Sequence, residues 1–157
     1  MAREIERKFL LETAPEAIAG DPGEAIEQGY LAVQEGSREV RVRRRGSRPV
    51  LTVKLGAGRS REEVELDLTD SQFDALWPLT AGMRVHKTRH KVPHEGLTIE
   101  IDVYGDSLDG LVTAEVEFAT EDVCERFAPP DWLGSEVTGD QRFANESLAL
   151  HGRPGPP

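Results

Sequence analysis

The sequence is short of the residues on which several protein classes depend. It contains one cysteine, Cys124, so it cannot form an internal disulfide. Apolar residues make up 38% of its 157 residues, and no 18-residue apolar run is present, which argues against a membrane-spanning helix. The N-terminal residues lack the apolar stretch of a secretory signal. We therefore expect a cytoplasmic protein without membrane contact.

Basic residues are too few for a nucleic-acid-binding protein. The 19 lysines and arginines face 29 aspartates and glutamates, which gives a net charge of −10. The field of the whole molecule would therefore repel a polyanion, so we expect no nucleic-acid partner. A bound anion must be held by a local group of cations or by metal ions. The sequence also has no Ser-His-Asp order and no Walker phosphate loop.

Charged residues alternate with apolar ones along most of the predicted strands. The opening MAREIERKFL places Glu4, Glu6 and Lys8 on one strand face. The later strands repeat this alternation with Arg41, Arg43, Lys54, Glu63, Glu65, Lys87, Arg89, Lys91, Glu100, Asp102, Glu115 and Glu117. Strands that face bulk water rarely carry both charge signs in this order. We therefore predict that the charged faces line a central cavity and that the apolar faces point outward beneath helices.

The predicted fold is mainly β (α+β): an eight-stranded antiparallel closed barrel with a charged interior and helices packed outside. The strands are predicted at residues 3–11, 25–33, 39–45, 50–55, 60–68, 84–92, 97–104 and 111–119. Helices are predicted at about 70–77, 120–127 and 141–150. The length favours one domain, over residues 1–152, with a disordered tail at 153–157.

The run Glu4-Ile5-Glu6-Arg7-Lys8 resembles the ExExK signature of the CYTH proteins, also called triphosphate tunnel metalloenzymes. The resemblance continues through QGYL (28–31), EVRVRRRG (39–46), LTVK (51–54), REEVEL (61–66), KTRH (87–90), EIDVY (100–104), EVEF (115–118) and EVTGDQRFANESLA (136–149). It spans nearly everything from residue 3 to about 150. It therefore implies a triphosphate tunnel and metal-dependent chemistry on a small triphosphate.

Among the activities of that family, the short chain and the lack of an obvious nucleoside pocket favour an inorganic triphosphatase, similar to the short bacterial ones. The expected reaction is metal-dependent hydrolysis of inorganic triphosphate to pyrophosphate and phosphate. The alternatives are a class IV-type adenylate cyclase, a thiamine triphosphatase or a nucleoside triphosphatase. An alternative of another class is a non-catalytic module that binds polyphosphate or nucleotides. A monomer and a homodimer are both compatible with the sequence.

The acidic residues predict a metal site. Carboxylates enclosed without partners take up protons or recruit cations, and oxygen ligands favour hard ions, so we expect Mg²⁺ or Mn²⁺. The resemblance implies that the metal ligands are Glu4, Glu6, Asp102, Glu115 and Glu117. Supporting roles are expected for Glu63, Glu65 and Glu100, the first two by orienting cations or by adding to a second metal site.

The basic residues predict phosphate binding. The planar fork of arginine suits phosphate oxygens, whereas lysine acts as a point charge. The resemblance implies that the substrate is bound by Lys8, Arg41, Arg43, Lys54, Lys87 and Arg89. We expect catalysis to depend on Glu4, Glu6, Lys8 and Lys87. The alternative is that these cations are only structural partners of the carboxylates.

The C-terminal segment carries a further expected contact and one departure from the family pattern. Arg142 matches a family arginine that helps to close one end of the tunnel, which gives it a supporting role. Gln141 stands where we expect lysine in many relatives. This departure removes one positive charge near the closure.

Overall fold

The computed structural model of the chain describes residues 5–56 and 62–157. These residues form one antiparallel sheet of eight strands, as the alternation predicts. The strands are β1 (Ile5–Leu11), β2 (Glu24–Gln34), β3 (Arg38–Arg45), β4 (Arg48–Leu55), β5 (Glu62–Asp67), β6 (Arg84–His94), β7 (Leu97–Tyr104) and β8 (Val112–Phe118). The helices are α1 (Asp70–Leu76), α2 (Glu121–Arg126) and α3 (Asn145–His151).

The two faces of the curved sheet differ in polarity because successive side chains of a strand point to opposite sides. The apolar residues of β1, β7 and β8 form a buried cluster on the convex face, together with Phe127 and Leu133 from the chain that follows α2. Helix α1 begins with a capping box between Thr69 and Gln72 and buries Phe73 on the same side of the sheet. The predicted phosphate-binding residues lie on the opposite, concave face, whereas Arg7 and Arg44 stack over aromatic rings on the convex face.

The predicted closed barrel is wrong. Within the described residues the strand order is β1-β8-β7-β6-β2-β3-β4-β5, so the sheet is open and β1 and β5 are its edges. The free edge of β1 is occupied by the segment 134–138. The Leu10 amide donates to the Ser135 carbonyl at 2.8 Å, and the Val137 amide donates to the Lys8 carbonyl at 2.8 Å. The other edge of β1 pairs with β8. At these residues, therefore, neither edge of β1 is available to pair with β5 and close the sheet.

The predicted third helix differs in both position and continuity. It was expected outside the sheet, but Leu148 of α3 packs against Val85 and Tyr104 on the concave side. The expected helix is also divided into a 3-10 turn, Gln141–Phe143, and α3. Ala144 between them has an extended backbone, with ψ at 144°, which interrupts the helical hydrogen bonding, and the carbonyl of Phe143 accepts a hydrogen bond from Lys8 Nζ at 2.7 Å.

Gly134 is required where the C-terminal segment crosses β1. A Cβ at this position would overlap the carbonyl oxygen of Leu10, which is backbone and cannot rotate away. We expect Gly134→Ala to lower the free energy of unfolding by about 1–3 kcal/mol, as other overpacked sites do. Urea unfolding would measure this loss, with Gly155→Ala as the control because a Cβ there meets nothing within 4 Å. Equal stability of both variants would contradict the close contact.

Two further predictions concern the C-terminal tail and the absence of a membrane-spanning helix. Residues 153–157 form no helix or strand, and the division into a 1–152 domain and a disordered tail stays a prediction. No helix in the described ranges is long and apolar enough to cross a membrane.

Candidate active site

The concave face and the segment 137–146 enclose a cavity of about 360 Å³. All six predicted phosphate-binding residues line it: Lys8, Arg41, Arg43, Lys54, Lys87 and Arg89. Four of the predicted acidic residues line it as well: Glu6, Glu100, Glu115 and Glu117. The alternation along the separate strands therefore brings both sets into one space.

Strand pairing sets the carboxylates side by side at the open end of the cavity. Glu6 lies opposite Glu117 across β1 and β8, and Glu115 lies opposite both Lys8 and Glu100. Like charges placed opposite each other destabilise a sheet, so a cation is favoured among them. Lys8 supplies part of this charge, since its Nζ lies 3.4 Å from Glu115 Oε1.

Asp102 lies beneath the cavity wall and binds two of the cations. Its carboxylate accepts two hydrogen bonds from Arg89, at 2.8 and 2.9 Å, and its Oδ2 lies 2.9 Å from Lys87 Nζ. The Asp102 side chain is 3% exposed. Burial alone would raise its pKa, but the charge of Lys87 and the hydrogen bonds from Arg89 outweigh burial and hold the pKa below its ordinary value. Asp102 thus fixes the positions of Lys87 and Arg89.

Lys87 is the most deeply buried of the cavity cations. Burial lowers the pKa of its ammonium group, and the neighbouring Arg89 lowers it further, although Asp102 acts in the opposite direction. Asn145 of α3 lies beside it, with Oδ1 at 3.5 Å from Lys87 Nζ and at 2.8 Å from the Tyr104 hydroxyl. Helix α3 therefore helps to hold the strand residues that surround Lys87.

Arg41 and Arg43 leave donors unused. In the described part of the chain, the Nε of each is buried and has no hydrogen-bond partner. Burial lowers the pKa of Arg43, and the charges of Arg41 and Arg89 lower it further, which shows that positive charge is crowded at this point. Arg41 Nη1 lies 3.7 Å from Glu39 Oε2. Buried donors without acceptors are costly, so an anion with several oxygens would satisfy this group well.

We expect Arg41→Ala and Arg43→Ala to weaken triphosphate binding at least about tenfold without unfolding the protein. Each removes donors that only an anion would satisfy, and each relieves repulsion among the cations. Arg48→Ala is the control, since Arg48 is largely exposed and pairs with Asp67 outside the cavity. Calorimetric titration with triphosphate and thermal unfolding would measure both effects. Wild-type affinity in both cavity variants would mean that these arginines are structural partners only.

The remaining predicted site residues are placed less centrally. Glu4 lies outside the described residues. Glu63 and Glu65 lie on the exposed edge strand β5, opposite Lys54 and Thr52. Their supporting roles stay predictions, as does the assignment of Asp102 as a metal ligand.

Of the two C-terminal residues considered in the sequence analysis, only one lines the cavity. Arg142 is half exposed and binds Asp140 through Nη2 at 2.7 Å, so its supporting role also stays a prediction. Gln141, by contrast, lines the cavity.

Nine residues of the cavity wall were not identified from the sequence, among them Gln28, Glu39, Asn145 and Glu146. Gln28 is 1% exposed and donates to the Tyr30 hydroxyl at 2.6 Å. Its place in the QGYL run, as a polar residue within an apolar strand, is a signal that could have identified it. Asn145 and Glu146 gave no such signal, because they lie on a helix that was expected to pack outside.

The sequence pattern of the CYTH domain matches residues 2–136. The chain belongs to the CYTH domain family. An inorganic triphosphatase of Nitrosomonas europaea is 44% identical over 150 residues, which cover 94% of this chain and 97% of that protein. An inorganic triphosphatase of Acetivibrio thermocellus is 36% identical over 155 residues, which cover 94% of each. A crystal structure of an inorganic triphosphatase matches with a TM-score of 0.78 and 40% identity, over 98% of this chain and 99% of that one.

CYTH triphosphatases are metal-dependent, and the donor chemistry of this cavity fits a divalent cation. Glu6, Glu115 and Glu117 offer only carboxylate oxygens, the ligands that hard ions prefer. Among the described residues, no group of three or more acidic, histidine or cysteine side chains is arranged closely enough to hold a metal ion. Glu4 lies outside this range, and Lys8 binds Glu115. The donors are thus of the right type but are not gathered around one point.

Proposed function

We propose that this CYTH protein is a metal-dependent hydrolase that cleaves inorganic triphosphate into pyrophosphate and phosphate. The observation that carries the proposal is the cavity itself, where six basic side chains and seven carboxylates surround about 360 Å³. The buried Nε donors of Arg41 and Arg43 support an anionic substrate in particular. The inorganic triphosphatases at 44% and 36% identity support the choice of substrate.

Each group has a role that follows from its position. Arg41, Arg43 and Lys54 would hold the phosphate oxygens on one side of the cavity, and Arg89 would hold them on the other. Asp102 keeps Arg89 oriented through its paired hydrogen bonds. Since these groups are fixed before the substrate arrives, little reorganisation is needed to stabilise the charge that develops during cleavage.

The acidic end of the cavity would hold the metal ion. Glu6, Glu115 and Glu117 are the proposed ligands, with Glu4 and Asp102 as further candidates. A bound Mg²⁺ or Mn²⁺ would neutralise phosphate oxygens and help to position the attacking water. Lys8 and Lys87 would contribute positive charge on either side of the reacting phosphate, since both line the cavity.

A phosphate-release assay across triphosphate, ATP and thiamine triphosphate tests the proposal. We expect turnover to be fastest with triphosphate, to vanish with EDTA, and to return with Mg²⁺ or Mn²⁺. Faster turnover of ATP or thiamine triphosphate would mean that this compound, and not inorganic triphosphate, is the preferred substrate. Tight binding of triphosphate without any release of phosphate would instead favour a non-catalytic binding module. Full turnover in EDTA would contradict the proposal that hydrolysis requires a metal ion.

A further inference from the structure

The cavity ends beside the turn that joins β2 to β3. Three of its lining residues, Glu39, Lys54 and Glu146, also border a second space, which measures only about 10 Å³. The other walls of that space come from Gln34, Gly36, Ser37, Arg38 and Gly56. A space of this size holds about one water molecule, and a phosphate group does not fit. Among the described residues the passage between these walls is therefore narrow, although it opens to solvent on its other side.

Carboxylates join the basic residues of the wall at the same point, since Glu39 and Glu146 stand beside Lys54 and Arg38. The Glu39 side chain is 8% exposed, and within the described residues its Oε2 has no hydrogen-bond partner. Its contact with Arg41 Nη1 is long, at 3.7 Å. Glu146 Oε1 accepts a hydrogen bond from Gln141 Nε2 at 2.8 Å. Because that amide is neutral, the contact orients the Glu146 carboxylate without cancelling its charge.

We propose that Glu39 and Glu146 form an anionic end-stop, which limits how far a phosphate chain enters and so selects triphosphate over longer polyphosphates. This inference rests on the proposed function. A chain held by Arg41 and Lys54 meets two carboxylates at a passage that is about as wide as one water molecule. Like charges at short range in a partly buried site repel strongly, and specificity is often set by such repulsion.

A fourth phosphate group has only the opposite end of the cavity available. That end is bordered by Glu6 and Glu117, both exposed carboxylates. A longer chain is therefore either excluded at the end-stop or displaced from the cations toward these carboxylates. In both cases the extra phosphate group makes no favourable contact with the basic residues.

Glu146→Gln tests the end-stop because it keeps the size of the side chain and removes its charge. Calorimetric titration in EDTA would give the dissociation constants of triphosphate and of linear tetrapolyphosphate, and a release assay with Mg²⁺ would give kcat/KM for each. In the wild type we expect triphosphate to bind more tightly. In the variant we expect the preference for triphosphate to fall about tenfold. Glu39→Gln should act in the same direction.

Glu35→Gln is the matched control. Glu35 lies in the same β2–β3 turn but contacts His151 at 2.6 Å and lines neither space. The substitution removes the same charge near the same end of the cavity, so a general electrostatic effect would appear in the control as well. We expect the control to keep the wild-type preference. Thermal unfolding of all three variants would show that each is folded.

The outcomes separate the end-stop from the proposed function. An equal gain in affinity for both anions in Glu146→Gln and Glu39→Gln would overturn the end-stop, as would a wild type without preference between the anions. Selective binding of triphosphate without hydrolysis, with the selectivity lost in the variants, would support the end-stop and refute the function. Binding of neither anion by the wild type would overturn the end-stop.

Discussion

Glu6→Gln should reduce the turnover of triphosphate by about 10² or more while leaving metal-free binding of triphosphate unchanged or tighter. Glu6 lies at the open end of the cavity, opposite Glu117. Glutamine keeps the size of the side chain but removes one negative charge from the proposed metal ligands. Losses of this size are typical when a ligand of a charge-stabilising ion is weakened.

The two effects of this substitution oppose each other, and that opposition makes the test specific. A weaker metal site slows turnover, whereas a cavity that is more positive by one charge attracts the polyanion. Calorimetry in EDTA measures only the second effect, and the release assay at subsaturating metal measures both. Glu16→Gln, on an exposed 3-10 turn away from the cavity, is the control. Turnover of Glu6→Gln within about twofold of the wild type would remove Glu6 from the metal site.

Asp102→Asn should lower the free energy of unfolding by about 3 kcal/mol, because it leaves Lys87 and Arg89 buried without their shared carboxylate. The side chains of Lys87 and Asp102 are 2% and 3% exposed, so water cannot replace the lost contact. Urea unfolding in EDTA would measure the loss. Asp67→Asn is the control, since Asp67 pairs with Arg48 at the surface, where both side chains are exposed. We expect no measurable change in the control.

The pH dependence of this stabilisation has a defined direction. The pKa of Asp102 in the folded protein lies below its ordinary value of 3.8, so its contribution is complete above that pH. As the pH falls below 3.8, the carboxylate is protonated first in the unfolded chain, so the contribution decreases until the folded carboxylate is protonated as well. The stabilities of the wild type and Asp102→Asn should therefore converge in acid. Unchanged stability in EDTA together with weaker metal binding would instead identify Asp102 as a metal ligand.

The strands and most of the cavity wall could be predicted because the information is local. Alternation with a period of two fixes which residues share a strand face, and antiparallel pairing joins those faces into one surface. All six basic residues expected to bind phosphate, and Glu6, Glu100, Glu115 and Glu117, consequently line one cavity. The ordered series of motifs also identified the CYTH family, which the match over residues 2–136 confirms.

The open sheet could not be predicted from the same alternation. Closure depends on which segment pairs with the free edge of β1, and that edge consists of backbone groups that every residue carries. The Lys8 amide donates to the Thr138 hydroxyl, 130 residues away in the chain. Side-chain periodicity does not report such a contact. The position of α3 was also predicted wrongly, because the face on which a helix packs depends on contacts with distant strands. Leu148 packs on the concave face with Val85 and Tyr104 rather than on the convex face.

The sequence by itself determined the sign of charge on each strand face, the number of strands and the family. These properties depend on neighbours along the chain and on the order of short motifs. Only the tertiary structure decided which charges neutralise each other and which remain available to a ligand. Asp102 pairs with Lys87 and Arg89, whereas Arg43 keeps a buried donor without a partner among the described residues. Electrostatic interactions depend on distance and burial, and folding sets both by bringing distant strands together.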